Sequence, residues 1–417
     1  MLGLLCASAP PAAATPAALS GPGPRTQALG GSGASLNVGS EAAFQNPAQL
    51  SLLRRPELTA GYGLGKSWLY WRREPAAEQR LDLAAEGATQ LGFALPLWLG
   101  DEPLVLGLSS VSPGGTVARA DLPLPEQPQF PLLVTRRQAV DFDLAAGYRP
   151  FPFLAVGVGL RALAALSGNV EDERTGTRTG TGTRVRDSLE PELAPLFGLS
   201  AFFGRATASL VLRTALRADF DIELGAVDLG ATELPPLHLA GVAHYDPLAL
   251  QAEYSQRLGE FTALAGVVYQ RFRDAPVLLP RTVSCPSERP DCAALDVSAP
   301  ELHDTFDLHL ALTYRVLATT SARLELRAGY AYLPSPTPEQ TASANFLDAT
   351  RHRLALGYGV AIERDLHWSF DVAATLDQLE SRTHHKSAEV PDDNPGAPQL
   401  STRGHLLSAS CSLTVKL

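Results

Sequence analysis

The chain has 417 residues, of which 45% are hydrophobic and 19% charged, with a net charge of −10. That acid excess excludes a nucleic-acid partner, because neutralising phosphates takes a basic face this chain lacks. No apolar run reaches the roughly 18 residues a membrane-spanning helix needs, so that class is excluded too.

Residues 1–24 open as MLGLLCASAPPAAATPAALS, a short apolar core followed by Ala and Pro, with no charge before Arg25. This has the form of a secretory signal without its basic start, and cleavage is expected near Ala14. Cys6 is not expected to be lipidated, since Leu5 stands where a small residue is needed. The next stretch, centred on QALGGSGASLNVGSEAAFQNPAQLSLL, fits neither helix nor strand: Gly30, Gly31, Gly33, Gly39 and Pro47 break any apolar period. Its small residues precede a long series of strands, so residues 25–56 are expected to fill the inside of a barrel as a plug. Gly30, Gly31, Gly33, Phe44, Asn46, Pro47 and Ala48 are its candidate hatch residues.

From Glu57 to Leu417 the period is two. Phe306, Leu308, Leu310, Leu312 and Tyr314 oppose Asp307, His309, Ala311, Thr313 and Arg315, and several other segments divide in the same way. The strands reach the roughly ten residues that cross a bilayer at a tilt. Trp68, Tyr148, Tyr330, Tyr332 and Trp368 sit toward strand ends, as an interfacial belt requires. Connections alternate short (99–102, 149–151, 257–260, 318–321) and long (113–136, 169–190, 220–236, 274–301). Together these predict an all-β fold: a transmembrane antiparallel β-barrel of about 14 strands, short turns on the periplasmic side, in the outer membrane of a Gram-negative bacterium. Leu237–Arg257 is read as one strand bent at Asp246 and Pro247. The last strand, Leu407–Leu417, closes on the first.

Motifs for chemistry are sparse. GVGLRA at 157–162 lies inside an alternating strand with no helix after it, which argues against dinucleotide binding. His384 and His385 fall in a polar outer loop; no metal site, cofactor or catalytic cluster is expected. Cys285 and Cys292, in CPSERPDC, are read as a local disulfide. The inward faces carry Asp141, Asp143, Arg217, Asp307, His309 and Asp371 with a set of arginines. Arg161, Arg213, Arg315, Arg323, Arg327 and Arg353 are the candidates to attract a carboxylate headgroup, the alternative being an ion-pair lattice that stiffens a wet lumen.

Three segments, ALGGSGASLNVGSEAAFQNPAQL with its Asn46-Pro47-Ala48, RAGYAYLPSPTPEQTASANFLDATRHRLALGYG and LGFALPLWLGDEPLVLGLSSVSPGG, resemble the FadL family of outer-membrane transporters. The resemblance implies a fourteen-stranded barrel with an N-terminal hatch that shifts on ligand binding. It also implies passive passage of a hydrophobic molecule, a fatty acid or hydrocarbon and foremost a long-chain fatty acid, released sideways into outer-membrane lipid beside a kinked third strand. That strand is Pro103–Ser112 here, with Gly107, Ser109, Ser110, Pro113 and Gly114 as candidates for the lateral opening. The expected molecule is a monomer without enzymatic activity. The alternative is a structural or secretion-machinery anchor barrel that binds protein and conducts nothing.

Overall fold

The computed structural model describes residues 21–81, 83, 85–113, 126–134, 140–174, 181–227, 234–276, 282–284, 301–363 and 367–417. Period-two alternation resolves into a wall of fourteen strands: β1 Glu57–Arg73, β2 Glu86–Leu99, β3 Glu102–Pro113, β4 Asp141–Phe151, β5 Leu154–Arg174, β6 Thr181–Phe203, β7 Ala206–Arg213, β8 Leu248–Leu258, β9 Phe261–Arg271, β10 Thr305–Ala318, β11 Ala322–Leu333, β12 Arg351–Glu363, β13 His367–His385 and β14 Gln399–Lys416. Each pairs antiparallel with the next. The ladder from Glu57↔Lys416 to Arg73↔Leu400 joins β14 to β1, so the wall has no free edge through its middle.

The outward face is apolar and exposed: Phe306, Leu308, Leu354 and Leu356 among many. In water each would forfeit about 1.5–3 kcal/mol of burial, so this belt belongs in lipid. Inward partners on the same strands, Asp143, His309, Arg353 and Asp371, are buried. No helix of the described residues is long and apolar enough to cross a membrane.

One strand assignment needs correction. Leu237–Arg257 is not a single bent strand: Leu234–Asp246 ends in a hairpin with Leu216–Val227, and β8 starts afresh at Leu248. The break falls at the predicted Asp246–Pro247 because Pro247 cannot donate to a ladder. The hairpin is an insertion between β7 and β8, which pair directly from Ala206↔Gln256 to Arg213↔Ala249. Its first strand runs parallel to β5 over Ser167–Glu173, and Leu216 packs on the inward-facing Leu163 and Ala194. The hairpin therefore crosses the long-loop mouth on the inner side. Arg217, predicted inward on the wall, is exposed on this hairpin instead. Much of the sequence expected as long loops, 169–190 and 220–236, is strand extension of β5, β6 and the hairpin.

Around the mouth the outer segments pack on one another. Phe130 and Leu133, the latter in the short helix Pro131–Val134, join Leu347, Leu379, Leu400 and Leu69. Leu132 of the same helix joins Tyr245, Phe272 and Phe346.

Residues 21–53 form two short helices, α1 Pro24–Ala28 and α2 Ser40–Gln45, and a 3₁₀ turn, Pro47–Leu52. The sequence hid them because each is five or six residues long, too short for a helical period. Pro24 and Pro47 sit at first helical positions, where the missing N–H costs nothing. Gly30, Gly31, Gly33 and Gly39 all take positive φ, which lets the chain double back between these pieces.

Candidate functional site

The segment 21–53 lies against inward-facing residues of the wall, and the fit is made by glycines. Gly147 of β4 pairs with Gly157 of β5, which pairs with Gly198 of β6, giving a strip without side chains across three strands. Pro47 and Ala48 rest on it: a Cβ at Gly157 would stand 2.3 Å from the Ala48 nitrogen, and one at Gly147 2.3 Å from the Pro47 oxygen. A second glycine, Gly329 of β11, receives Leu29 and Gly30, again with only 2.3 Å for a Cβ.

Asn46 explains the Asn-Pro-Ala order. Its Oδ1 accepts from the Ala48 N–H at 3.1 Å, capping the 3₁₀ turn, while Nδ2 donates to the Ala34 carbonyl at 2.7 Å and to Ser200 Oγ of β6 at 2.9 Å. Carboxylates of the wall take the segment's amides. Glu253 of β8 accepts from Gly33 N at 3.0 Å and from Ser35 N and Oγ at 2.7 Å each. Glu57 accepts from Ser40 N at 2.6 Å, and Asp371 accepts from Arg25 Nε at 3.1 Å. Glu41 caps α1 through Thr26 N at 3.0 Å and Thr26 Oγ1 at 2.7 Å.

On the long-loop side of Phe44 lies a cavity of about 200 Å³, lined by Phe44, Gln45, Arg161, Arg213, His309 and Arg353 among others. Arg161 and Arg213 face the Phe44 ring from 5.2 and 5.6 Å, a double cation–π contact. Their charges are balanced differently. Arg161 lies 3.0 Å from Asp141, 3.3 Å from Asp143 and 3.2 Å from Asp246. Arg353 is bidentate to Asp377 at 2.7 Å. Among the described residues Arg213 has no carboxylate partner: it donates to Gln251 Oε1 at 2.9 Å and to the carbonyls of Gln45 at 2.7 Å and Phe44 at 3.3 Å, while its buried Nε has no partner there. His309 Nδ1, also buried, is likewise without a partner among the described residues.

The six candidate arginines thus divide. Arg161, Arg213 and Arg353 meet at this cavity. Arg327 lies on the short-turn side of the inner segment, paired with Glu325 and Asp371, beside a second cavity of about 280 Å³ that Arg323 also lines. Arg315 and Arg323 stand near the short turns, paired with Glu260 and Glu363. Among the hatch candidates, Phe44 and Gly31 line the first cavity, while Asn46, Pro47 and Ala48 contact the glycine strip and Gly30 meets Gly329.

Of the lateral-opening candidates, Gly107, Ser109 and Ser110 lie where β3 holds unbroken register with β2 and, over Val105–Val111, with β4. Pro113 ends β3 opposite Ala88. Gly107 is inward, with Leu50 of the 3₁₀ turn 2.7 Å from the place a Cβ would occupy. Gly114, Cys285 and Cys292 lie outside the described residues, and Cys411 of β14 is a free thiol.

Sequence reasoning missed Glu253, Asp377 and the aligned glycines. Glu253 alternates with Gln251 and Ser255 on one face of β8, a pattern obscured by joining β8 to the hairpin.

A FadL homologue of Pseudomonas aeruginosa superposes with a TM-score of 0.65, covering 97% of this chain and 99% of its own, at 13% identity. The fold is that of FadL. The FadL-type architecture extends to the toluene transporter TodX of P. putida, with a TM-score of 0.53, 14% identity and coverage of 96% and 99%. It extends also to the toluene transporter TbuX of Ralstonia pickettii, at 0.55 and 14% with the same coverage. No family model matches the sequence, and no curated protein matches it.

Proposed function

We propose that this barrel is a passive outer-membrane channel for hydrophobic small molecules, that residues 25–56 are its hatch, and that its ligand is an amphiphile carrying a carboxylate, a long-chain fatty acid being the best fit. The observation that carries this reading is Arg213: a half-buried guanidinium with no carboxylate partner among the described residues, one buried N–H without a partner there, and a cavity in front of it. A carboxylate accepts two parallel N–H bonds from a guanidinium and repays its desolvation, which a pure hydrocarbon cannot do. Arg213 also holds the hatch through the Phe44 and Gln45 carbonyls. A carboxylate arriving there competes for those same N–H groups, so binding the headgroup loosens the hatch.

The toluene transporters of like fold support a second reading, a channel for aromatic hydrocarbons, in which Phe44 is the contact that matters. Mass spectrometry of lipids extracted from the purified, refolded barrel, followed by titration with oleate and with toluene, separates the two. Arg213→Gln is expected to weaken oleate binding about 10- to 100-fold, the worth of a charge-assisted hydrogen bond, and to leave toluene binding alone. Toluene binding in the absence of oleate binding would overturn the carboxylate assignment, and binding of neither would overturn the transport reading.

A further inference from the structure

The long-loop end of the wall carries a second chemistry on its lipid side, independent of what passes through the lumen. Along β1 the outward face turns from apolar to cationic and aromatic: Leu58 and Leu64 are exposed, and the same parity continues toward the long loops as Lys66, Trp68, Tyr70 and Arg72. On the neighbouring β14, exposed Leu413 and Leu407 are followed toward the long loops by His405 and Arg403 on the same face. Register joins the two series. Trp68 lies opposite His405 and their rings stack at 4.9 Å, while Tyr70 lies opposite Arg403, whose guanidinium stands 5.0 Å from the Tyr70 ring. The Lys66 ammonium reaches up from the apolar belt to within 5.6 Å of the Trp68 ring.

This strip has two cationic tiers with a platform of rings between them. Lys66 is the lower tier, exposed and with no carboxylate partner among the described residues. The upper tier is Arg403 with Arg72 and with Arg80, which the short strand Gln79–Leu81 places opposite Tyr70. Two carboxylates of the strip face these three: Glu74 holds Arg72 at 2.8 Å, and Glu78 takes Nε and Nη2 of Arg403 at 2.7 and 2.6 Å, which leaves Nη1 for another acceptor. From Lys66 to the row of Tyr70 and Arg403 is four residues of β1, about 13 Å of strand. A single phosphate cannot meet both tiers, but a disaccharide phosphorylated at each end spans them. Its sugar faces then lie on the Trp68–His405 stack, and rings at a bilayer edge stand at headgroup depth. We infer that this strip of the outer wall binds a phosphorylated glycolipid of the outer leaflet, with Lys66 on one phosphate, the Arg403 tier on the other, and the acyl chains on Leu64 and Leu407. Phosphatidylglycerol, with one phosphate and no sugar ring, would fill one tier and leave the platform uncovered.

The test titrates the full-length barrel in detergent with bisphosphorylated lipid A, with its monophosphorylated form and with phosphatidylglycerol, bound lipid being read by native mass spectrometry. The unmodified barrel is expected to hold the bisphosphorylated form about fivefold more tightly than the monophosphorylated one, and both more tightly than phosphatidylglycerol. Lys66→Gln/Arg403→Gln should weaken the bisphosphorylated form about 25-fold, at about fivefold per cation. Arg271→Gln/Arg273→Gln removes equal charge from the long-loop end of β9, where the two arginines pair with Asp274 and Asp304, and should leave binding unchanged. Trp68→Ala should weaken both glycolipids and spare phosphatidylglycerol. Heat-modifiable gel migration reports the folding of each variant. Equal loss in the two double variants would mean bulk charge attraction, and phosphatidylglycerol held as tightly as the glycolipids would mean that the rings read no sugar. Either result overturns the site, and the second needs no variant to fold.

Discussion

At Gly157 the wall and the inner segment are separated by the width of a hydrogen atom. The Ala48 nitrogen and Pro47 carbon stand 2.3 Å from where a Cβ would be built, and both are backbone atoms that cannot rotate aside. Gly157→Ala must therefore push the 3₁₀ turn off the strip. The expected cost is about 1–3 kcal/mol, borne by the inner segment, since β5 keeps its ladders to β4 and β6. Hydrogen exchange over residues 40–53 should accelerate while the barrel's heat-modifiable migration stays unchanged. Gly63→Ala is the matched control, because its nearest neighbour would lie at 3.6 Å and it should change neither. No reading of the sequence singles out Gly157. It sits in GVGLRA as one small residue among several, and its importance arises only when register brings Gly147 and Gly198 beside it. The Asn46-Pro47-Ala48 motif was legible by resemblance, but its capping role depends on Asn46 folding back on the Ala48 N–H, which no sequence pattern shows.

Among the elements, strands were legible where one face meets lipid and the other does not, as along β10, where Phe306, Leu308 and Leu310 alternate with Asp307 and His309. Above the bilayer both faces of a strand are wet, so the period vanishes and RTGTRTGTGTRVR reads as loop although β5 and β6 extend into it. The same holds for the upper end of β13, whose nineteen residues exceed the ten or so that cross a bilayer. His384, in that upper extension, is buried against the loop 334–350, and its Nδ1 accepts from the Gln340 N–H at 3.1 Å. Burial first, then the nearby Arg382 and Lys386 charges, lowers its pKa to about 4. The unfolded value is about 6.5, so the folded state prefers the neutral ring. Its contribution is complete above pH 6.5 and is lost as pH falls from there toward 4, because only the released loop can take up the proton. Hydrogen exchange over 334–350 is expected to rise through that window in the native barrel and to stay flat across it in His384→Asn. An equal rise in both would assign the effect to other groups.

For the whole molecule, the number of strands followed from the alternation of short and long connections, and the hairpin's misassignment left it unchanged because the hairpin adds two strands outside the wall. Which strands leave the wall was hidden: it depends on β7 and β8 pairing directly, Arg213 opposite Ala249, beneath the insertion. That pairing makes the hairpin removable. Joining Arg213 to Ala249 through a two-residue Asn-Gly turn, in place of residues 214–248, gives the loop length that closes an antiparallel pair. The fourteen ladders remain, so the barrel is expected to fold and migrate as the parent does. The mouth loses Leu216, His244, Asp246 and Pro247, three of which line the cavity over Phe44. A cysteine placed by Phe44→Cys should then react with a water-soluble maleimide at least about tenfold faster than in the full-length background, the barrier to access falling by more than about 1.4 kcal/mol. An unchanged rate would mean that the outer loops alone, through Phe130, Leu132 and Phe346, cover the mouth. Failure to migrate as a folded barrel would mean that the hairpin braces the wall between β6 and β9.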